Sequence, residues 1–300
     1  MTVDDVFAKR KPVLFDGANG TEYQHRGLAA GSAPESWNLA NAPLVKKIHQ
    51  EYCSAGSQII ETNTFGANRK RLQASRLENN IKEINWTGVG LALSAANGNA
   101  LVAGSVGPLG ALIEPYGDTS KEEAGEIFRE QVQLLLEAGV HWIAIETMIS
   151  LEEAVLALEA AKEAGAKTIS VTMTFEPTPE GPRTPFGESP AQIAQKLTSS
   201  GATIVGSNCG LGFDVMRSVA KELKGLTTIP VLVQPNAGIP TYSHDTLIYP
   251  EGLEQYAEFV RDMVSLGIEF VGGCCGTTPQ HIAEAHRIIG QEVAMMNGPK

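Results

Sequence analysis

The chain has 300 residues, a formal net charge of −11 at pH 7 and a hydrophobic content of 43%. This length and composition suit one or two globular domains, and the acidic charge argues against nucleic acid or an anionic membrane surface as a partner. No apolar run reaches the length of a membrane span and the N-terminus does not resemble a secretory signal, so we expect a cytoplasmic protein with no membrane association.

Short runs rich in β-branched residues alternate with helical patterns along the whole chain. Most of these runs are continuously apolar, which is typical of parallel strands buried on both faces. The predicted strands are Val13–Phe15, Gln58–Glu61, Ala100–Gly104, Trp142–Ile145, Thr168–Thr174, Thr203–Gly206, Pro230–Val233 and Glu269–Val271.

The segments between the strands carry helix start and stop signals. Ser120 followed by Glu123 predicts a capping box for a helix through Leu136. Ser189-Pro190 and Thr278-Pro279 each predict an N-cap followed by proline at the first helical position. Glycines predicted to end helices before the next strand are Gly139, Gly165, Gly201 and Gly267.

Eight strands, each followed by a helix, predict an α/β fold of the (β/α)8 TIM-barrel class. The alternative is an open doubly wound sheet, which would favour G-x-G-x-x-G after the first strand, and "DGANGTE" does not supply that pattern. We see no linker, low-complexity segment or repeat. The sequence therefore predicts a single domain over residues 1–300, with a core from about 12 to 290.

In such a barrel, functional residues are expected at the carboxyl ends of the strands. Polar residues fill these positions. They are Asp16-Gly17, Thr62-Asn63-Thr64, Ser105-Val106-Gly107, Glu146-Thr147, Glu176, Asn208-Cys209, Gln234-Pro235-Asn236 and Cys274-Cys275. Cys53, the fourth cysteine, lies on a predicted helix and is expected to pack in the core.

Cys209 follows the sixth predicted strand, and Cys274 and Cys275 follow the eighth. Two strands apart in a closed barrel is near enough for the three sulfurs to meet. "GGCCG" alone is compatible with metal binding or with small residues in a tight turn, and Cys209 on the same rim favours a metal. Three thiolates with no histidine at a strand end predict zinc with an open fourth position. Such a zinc suits binding and ionising a substrate thiol, which favours alkyl transfer over hydrolysis.

Other strand-end groups suit the rest of a small substrate. Asp16 and Glu146 are placed to bind a cationic amine, and backbone N–H groups at Gly17–Ala18, with Ser105, are placed to bind a carboxylate. An amino acid bearing a thiol fits all of these groups. Two structural alternatives remain: Asp16 as a turn-forming residue and Glu146 as a helix N-terminal acid.

The remaining polar residues carry weaker signals. Asn208 and Asn236 are expected to be either turn formers or residues that orient neighbouring site groups, and their positions favour the second role. Two short basic runs, Lys9–Lys11 and Arg69–Arg71, are expected to be solvated surface.

Seven motifs occur in an order typical of one enzyme family. They are "DGANGTE", "ETNTFGA", "AGSVGP", "ETM", "SNCG", "PNAG" and "GGCCGTTP". From about Pro12 to Gly290 the chain resembles the zinc-dependent homocysteine S-methyltransferases. That family includes betaine–homocysteine and S-methylmethionine–homocysteine methyltransferases and the homocysteine-binding module of cobalamin-dependent methionine synthase.

The resemblance implies a (β/α)8 barrel that binds one zinc ion per chain, with the homocysteine thiolate in the open position. The implied site residues are the zinc ligands Cys209, Cys274 and Cys275, the amine-binding Asp16 and Glu146, and Gly17 and Thr64 in the loops that line the pocket.

The identity of the methyl donor is a separate question. "ETNTFGANRKRL", "VTMTFEPTPEG" and "PNAGIP" are most similar to the methionine synthase module, yet 300 residues leave no room for folate-binding or corrinoid-binding domains. We therefore expect the methyl group to come from a separate methylated corrinoid (methylcobamide) protein. The alternative is a small betaine or sulfonium donor. Trp37, Trp86 and Trp142 are scattered, which disfavours an aromatic cage for such a cation.

Two alternatives have no methyl transfer. One is a zinc-binding or redox-sensing module without turnover, and the other is a structural zinc in a barrel of unrelated chemistry. The sequence leaves the oligomeric state open and is compatible with a homo-oligomer.

Overall fold

The computed structural model describes residues 2–8, 12–210, 212–243 and 246–296. The strands of its main sheet are β1 (Val13–Leu14), β2 (Ile59–Glu61), β3 (Leu101–Val106), β4 (Trp142–Met148), β5 (Thr168–Met173), β6 (Ile204–Cys209), β7 (Val231–Pro235) and β10 (Phe270–Val271). An antiparallel hairpin of β8 (Thr241–Ser243) and β9 (Thr246–Ile248) lies between β7 and β10 in the chain.

Helices follow the strands and surround the sheet. They are α1 (Val3–Phe7), α2 (Asn19–His25), α3 (Trp37–Ala40), α4 (Ala42–Ala55), α5 (Arg69–Ala74), α6 (Ile81–Ala96), α7 (Lys121–Glu137), α8 (Leu151–Glu163), α9 (Pro190–Ser200), α10 (Phe213–Leu226), α11 (Leu253–Leu266) and α12 (Pro279–Met296), with 3-10 turns at Pro34–Ser36 and Glu78–Asn80. None of the helices described is both long and apolar enough to cross a membrane.

The eight strands form a nearly closed parallel barrel in the order β1-β10-β7-β6-β5-β4-β3-β2. Four hydrogen bonds join the chain at the outermost strands, β1 and β2. Leu14 N–H donates to Gln58 Oε1 at 3.4 Å, and the Ser57 hydroxyl donates to the Phe15 carbonyl at 3.3 Å. Gln58 N–H donates to the Leu14 carbonyl at 2.7 Å, and Glu61 N–H donates to Asp16 Oδ2 at 3.0 Å. The predicted (β/α)8 barrel is confirmed, and a strand-end carboxylate helps to close it.

Each predicted strand is present, with small differences at the ends. The largest differences are extensions at the carboxyl end: β4 continues to Met148 and β6 to Cys209. Glu146 and Asn208 therefore lie inside strands. Glu146 is therefore not a helix N-terminal acid, and Asn208 is not a turn former. Both of these alternative predictions are wrong, because the strands continue past the two residues.

α9 begins at Pro190 after the N-cap Ser189, as predicted, and α12 begins at Pro279, whereas the cap by Thr278 stays a prediction. Ser120 Oγ accepts from Glu123 N–H at 3.1 Å. The second half of the predicted capping box is replaced by an ion pair, because the Glu123 carboxylate pairs with Lys70. α7 ends at Glu137, one residue beyond the predicted end. The glycines expected to end helices all have left-handed φ: Gly139, Gly165, Gly201 and Gly267.

The barrel interior is apolar at its amino-terminal end. Phe15, Trp142 and Phe270 are at most 1% exposed, and their rings meet edge to face at centroid distances of 5.5 to 6.0 Å. Phe7 of α1 covers this group from below, 6.0 Å from Trp142. Edge-to-face contacts of this kind add about 0.5–1.5 kcal/mol each beyond burial. This aromatic group closes the bottom of the barrel and leaves the other end for a site.

Candidate active site

Three of the four thiols converge at the carboxyl end of the barrel. The sulfur atoms of Cys209, Cys274 and Cys275 all lie within 4.8 Å of one another. Tetrahedral zinc with Zn–S bonds of about 2.3 Å requires sulfurs about 3.8 Å apart, so small side-chain movements bring this group to zinc geometry. All three cysteines are half-buried and free of disulfides. The donor set and its spacing fit the predicted zinc ion.

The backbone around the thiols is tightly constrained. Cys209 is one of four non-glycine residues with positive φ, at 64°, in the part of the chain that the structure describes. Cys274 N–H donates to the Pro235 carbonyl at 2.8 Å, which anchors the loop after β10 to β7. A left-handed φ costs a β-carbon-bearing residue on the order of 1 kcal/mol or more. The fold therefore holds Cys209 in a strained conformation at the point where the thiols meet.

Glycines in "GGCCG" allow close packing as well as thiol convergence. A Cβ at Gly273 would lie 2.3 Å from Thr277 Oγ1, and one at Gly276 would lie 2.1 Å from the Tyr249 ring. Gly276 also has a φ of 80°. The tight-turn reading of the motif is therefore confirmed, and the same turn brings two adjacent cysteines to Cys209, whereas metal binding stays a prediction.

The pKa values of the clustered thiols are shifted in opposite directions. Hydrogen bonds from Cys274 and Cys275 lower the pKa of the Cys209 thiol to about 3. Donating to Cys209 raises the pKa of Cys274 well above its usual range. The cluster thus favours the thiolate form of Cys209, the form in which cysteine binds a divalent metal.

A cavity of about 710 Å³ opens beside the thiols on the carboxyl-terminal face. Its inner wall includes Glu61, Ser105, Glu146, Cys209, Gln234 and Cys274. Its outer part is lined by residues of the loops after β1, β2 and β3, among them Glu35, Phe65 and Arg71. The inner part thus combines thiols with carboxylates, as the sequence predicted for an amino acid bearing a thiol.

Glu146 is held in place through both of its oxygens. Ser105 Oγ donates to Oε1 at 2.5 Å, and Asn208 Nδ2 donates to Oε2 at 3.2 Å. Asn208 Oδ1 in turn accepts from Thr147 N–H at 2.7 Å, and Thr147 has a positive φ of 60°. Burial raises the pKa of Glu146 to about 7. Asn208 therefore orients the carboxylate, as its position at the strand end favoured.

Asp16 lies behind the cavity wall and is fully buried. Its Oδ2 accepts from Glu61 N–H, and its Oδ1 has no hydrogen-bond partner in the described chain. Burial, reinforced by the charge of Glu146, raises the pKa of Asp16 well above its usual range. This carboxyl group thus fixes β2 next to β1, and its burial favours the neutral form until a cation binds beside it.

Two of the groups predicted to donate hydrogen bonds to a substrate carboxylate already donate to other atoms of the protein. Ala18 N–H donates to Thr277 Oγ1 at 3.1 Å, and the Ser105 hydroxyl donates to Glu146. Gly17 does line the cavity, and a Cβ there would lie 2.7 Å from Thr277 Oγ1. Thr64 lies behind the wall, fully buried, with its hydroxyl 2.8 Å from the Ser105 carbonyl.

Asn236 approaches the thiols from β7. Its Nδ2 donates to the Gly210 carbonyl at 2.7 Å, and its buried Oδ1 has no partner in the described residues. A hydrogen bond from Asn236 also contributes to the lowered pKa of Cys209. Asn236 therefore holds the turn after β6 that carries the first thiol.

Two functional candidates were missed by the sequence analysis. Glu61 was counted as the last residue of a strand, and Gln234 was noted at a strand end without a role. In the structure Gln234 Nε2 donates to Glu61 Oε2 at 2.9 Å, across the barrel interior from β7 to β2. Alternation could have found them, because Ile59 packs inside the barrel and Glu61 lies two residues later on the same face.

Other sequence expectations fall outside the thiol site. The backbone of Glu176 pairs with Arg183 in the loop after β5. Cys53 lies on α4, half-buried against the core, and burial raises its pKa to about 11. Both residues are apart from the thiol cluster, as expected for Cys53.

One residue of the two basic runs differs from the prediction of solvated surface. Lys9–Lys11 lies outside the described residues. In Arg69–Arg71, Arg69 pairs with Glu130 at the surface, whereas Arg71 lies 5.1 Å over the Phe65 ring and lines the outer cavity. The prediction is therefore wrong for Arg71, because its guanidinium stacks on an aromatic side chain.

Comparison with known proteins agrees with this geometry. A family profile described as homocysteine S-methyltransferase matches residues 13–289. Methionine synthases from Mycobacterium leprae and Mycobacterium tuberculosis are each 30% identical over 94% and 93% of this chain. The chain spans about a quarter of their length, 24% and 25% respectively.

A solved structure shares the fold over nearly its whole length. The metallated form of the homocysteine methyltransferase MmuM from Escherichia coli superposes with a TM-score of 0.80 and 25% identity, covering 94% of this chain and 98% of that one.

Proposed function

Because this chain belongs to the homocysteine S-methyltransferase family, we propose that it transfers a methyl group to the thiol of homocysteine to give methionine. The observation that carries the proposal is the convergence of three thiols within 4.8 Å of one another beside buried carboxylates in one cavity. The thiols supply a metal site and the carboxylates supply an ammonium site. Homocysteine has both complementary groups.

One zinc ion per chain fits the thiols Cys209, Cys274 and Cys275. When bound, it would take the homocysteine thiol as a further ligand and keep that sulfur ionised at neutral pH. The shared thiolate at Cys209 and the spacing of the sulfurs support this assignment. Free thiols of this kind persist in a reducing compartment, so we place the protein in the cytoplasm.

The chain's own residues bind and align the amino acid. Glu146 receives the substrate ammonium, with its carboxylate fixed by Ser105 and Asn208. Asp16 contributes a second buried carboxyl group beside it, which a bound ammonium would stabilise in its ionised form. Such fixed positions reduce the entropy lost when substrate sulfur and donor methyl are brought together.

Other residues shape the pocket. Gly17 lets the wall approach Thr277, and Thr64 supports the loop after β2 from behind. Asn236 holds the turn that carries the first thiol.

The transfer itself is a single displacement. The thiol proton leaves to solvent, the sulfur lone pair forms the S–CH3 bond, and the bond between the methyl group and its donor breaks with its electron pair remaining on the donor. The protein contributes alignment and an ionised nucleophile.

The donor we assign is a methylated corrinoid carried by a separate protein. The motifs that resemble the module of cobalamin-dependent methionine synthase support this choice, and the similarity to methionine synthases agrees with it. So does the placement of the tryptophans. Trp142 closes the bottom of the barrel, Trp37 packs on Tyr23, and Trp86 lies on α6 with Lys82 over its ring. None of the three lines the cavity, so they provide no cage for a quaternary ammonium.

The test follows cob(I)alamin by absorbance when zinc-loaded protein and homocysteine meet methylcobalamin without oxygen. Cob(I)alamin and methionine in equal amounts are expected. Methionine formed only with betaine or sulfonium donors would assign a small-molecule donor. No methionine with any donor would overturn the proposal in favour of a zinc or redox-sensing module. A metal spectrum unchanged by homocysteine would indicate a purely structural zinc.

A further inference from the structure

Glu61 is a buried carboxylate in the wall of the inner cavity, and one of its oxygens is unpaired. It ends β2, is 7% exposed and lines the cavity. Gln234 Nε2 holds Oε2 at 2.9 Å, whereas Oε1 has no hydrogen-bond partner among the described residues. The Gln234 amide oxygen is also buried without a partner. Two acceptors on opposite strands therefore lack a donor.

The carboxyl groups around Glu61 have no cationic partner in the described chain. Burial, then the charges of Glu146 and Asp16, raise the pKa of Glu61 well above its usual range. None of the ion pairs formed within residues 2–8, 12–210, 212–243 and 246–296 involves any of these three carboxylates. A group of buried carboxylates without a partner is costly, so this geometry favours a cationic ligand.

The three carboxylates differ in how free their oxygens are. Both oxygens of Glu146 already accept hydrogen bonds from side chains. Asp16 is fully buried and uses one oxygen to hold the Glu61 backbone. Glu61 lines the cavity and keeps one oxygen free, with its position fixed by Asp16 through the backbone and by Gln234 through the side chain.

We infer that Glu61, fixed by Gln234, accepts a hydrogen bond from the ammonium group of the thiol substrate and makes the site selective for α-amino thiols over thiols without an amino group. This inference deepens the proposed function and rests on it. An ammonium group carries three N–H donors, so it can satisfy the free oxygens of Glu61 and Gln234 while facing the charge of Glu146.

The alternative role for Glu61 is purely structural, as a buried acid bonded to Gln234 that no ligand touches. The two roles differ in one measurable respect. A ligand-binding Glu61 discriminates between thiols with and without an amino group, whereas a structural Glu61 affects both kinds of thiol equally.

The test compares zinc-loaded wild type with Glu61→Gln, which keeps the shape of the side chain and removes its charge. Binding of L-homocysteine and of 4-mercaptobutanoate, the same thiol without the amino group, is measured by isothermal titration calorimetry. We expect Glu61→Gln to weaken homocysteine binding about tenfold and to leave 4-mercaptobutanoate binding within about twofold, since the charge-assisted hydrogen bond alone is lost. Zinc content and melting temperature establish that the variant is folded and loaded.

Glu35→Gln is the matched control, because Glu35 is another buried carboxylate of the same cavity and its oxygen accepts from Gly66 N–H. This control is expected to keep the wild-type preference for homocysteine. Equal weakening of both ligands by Glu61→Gln, or no change in either, would overturn the inference and leave the proposed function standing. Failure of the zinc-loaded wild type to bind homocysteine would overturn both.

Discussion

The two ends of the barrel interior differ in chemistry: one is apolar and closely packed, and the other is polar. At the amino-terminal end, Phe15, Trp142 and Phe270 fill the barrel with rings, and the one polar atom of Trp142 is paired with Ser170 Oγ at 3.0 Å. At the carboxyl-terminal end, thiols and carboxylates are crowded together, and several buried oxygens have no partner in the described residues.

The comparison shows where stability and chemistry are located. Close packing of apolar rings lowers the free energy of the folded state, whereas crowded like charges and unpaired acceptors raise it. Because the two ends lie in separate layers of one barrel, substitutions at one end should change stability and those at the other should change binding and catalysis.

The largest effect is expected at the thiols. Cys209→Ser or Cys275→Ser should abolish tight zinc binding and lower methyl transfer by at least about 1000-fold, because the metal site loses one of its three thiolates. Metal analysis and methionine formation by the same preparation measure both losses. Full activity in a metal-free variant would contradict the prediction.

Cys53→Ser is the matched control for this experiment. Cys53 lies on α4, away from the cluster, so its replacement should leave zinc content and activity unchanged.

The next effect is expected at the other end. Trp142→Ala should lower the free energy of unfolding by about 3–5 kcal/mol, because a fully buried ring and its contacts with Phe15 and Phe270 are lost. Chemical denaturation measures the change. Activity per folded molecule should stay close to wild type. A loss of activity without a loss of stability would show that the two ends are not separable.

A smaller effect is expected for Asn208→Ala. The variant loses the hydrogen bonds that orient Glu146 and Thr147, so homocysteine binding should weaken about 10- to 100-fold while zinc content is kept. Steady-state kinetics should show this mainly as a higher KM for homocysteine. An unchanged KM would mean that Ser105 alone orients the carboxylate.

The smallest effect concerns stability at the site itself. The pKa of Glu61 is higher in the folded protein than in the unfolded chain. Glu61 therefore lowers the free energy of unfolding once the pH rises above the pKa of the unfolded chain, and has no such effect at lower pH. Glu61→Gln should therefore match wild type near pH 4 and be more stable at pH 8, by about 0.5–2 kcal/mol. Denaturation of the ligand-free proteins at the two pH values tests this. Greater stability of wild type at pH 8 would reverse the sign.

Regular features of the barrel could be predicted from sequence because they are local. A parallel strand buried on both faces requires a continuous apolar run, and its carboxyl end is the first polar position after that run. Asp16 follows its run directly, and Cys209 and Cys274 follow theirs within three residues, so their presence at one end of the barrel follows from the fold class.

Features that depend on distant contacts could not be predicted in this way. Glu61 and Gln234 are separated by 173 positions in the chain, and only barrel curvature and the stagger of the strands bring their side chains together. The hairpin of β8 and β9 has strands of only three residues each, too short for alternation to be visible. The continuation of β4 to Met148 is likewise set by its pairing with Met173.

The contact between β1 and β2 gives Asp16 a structural role in addition to its place beside the cavity. Beside the bonds of Leu14 with Gln58 and of Ser57 with Phe15, the closure between these strands is made by the Asp16 carboxylate on the backbone of Glu61. A descendant protein that abandoned the reaction would still be under selection to retain this aspartate, because discarding it would loosen the barrel wall. Survival of Asp16 in a relative is therefore a weaker sign of retained activity than survival of the three cysteines.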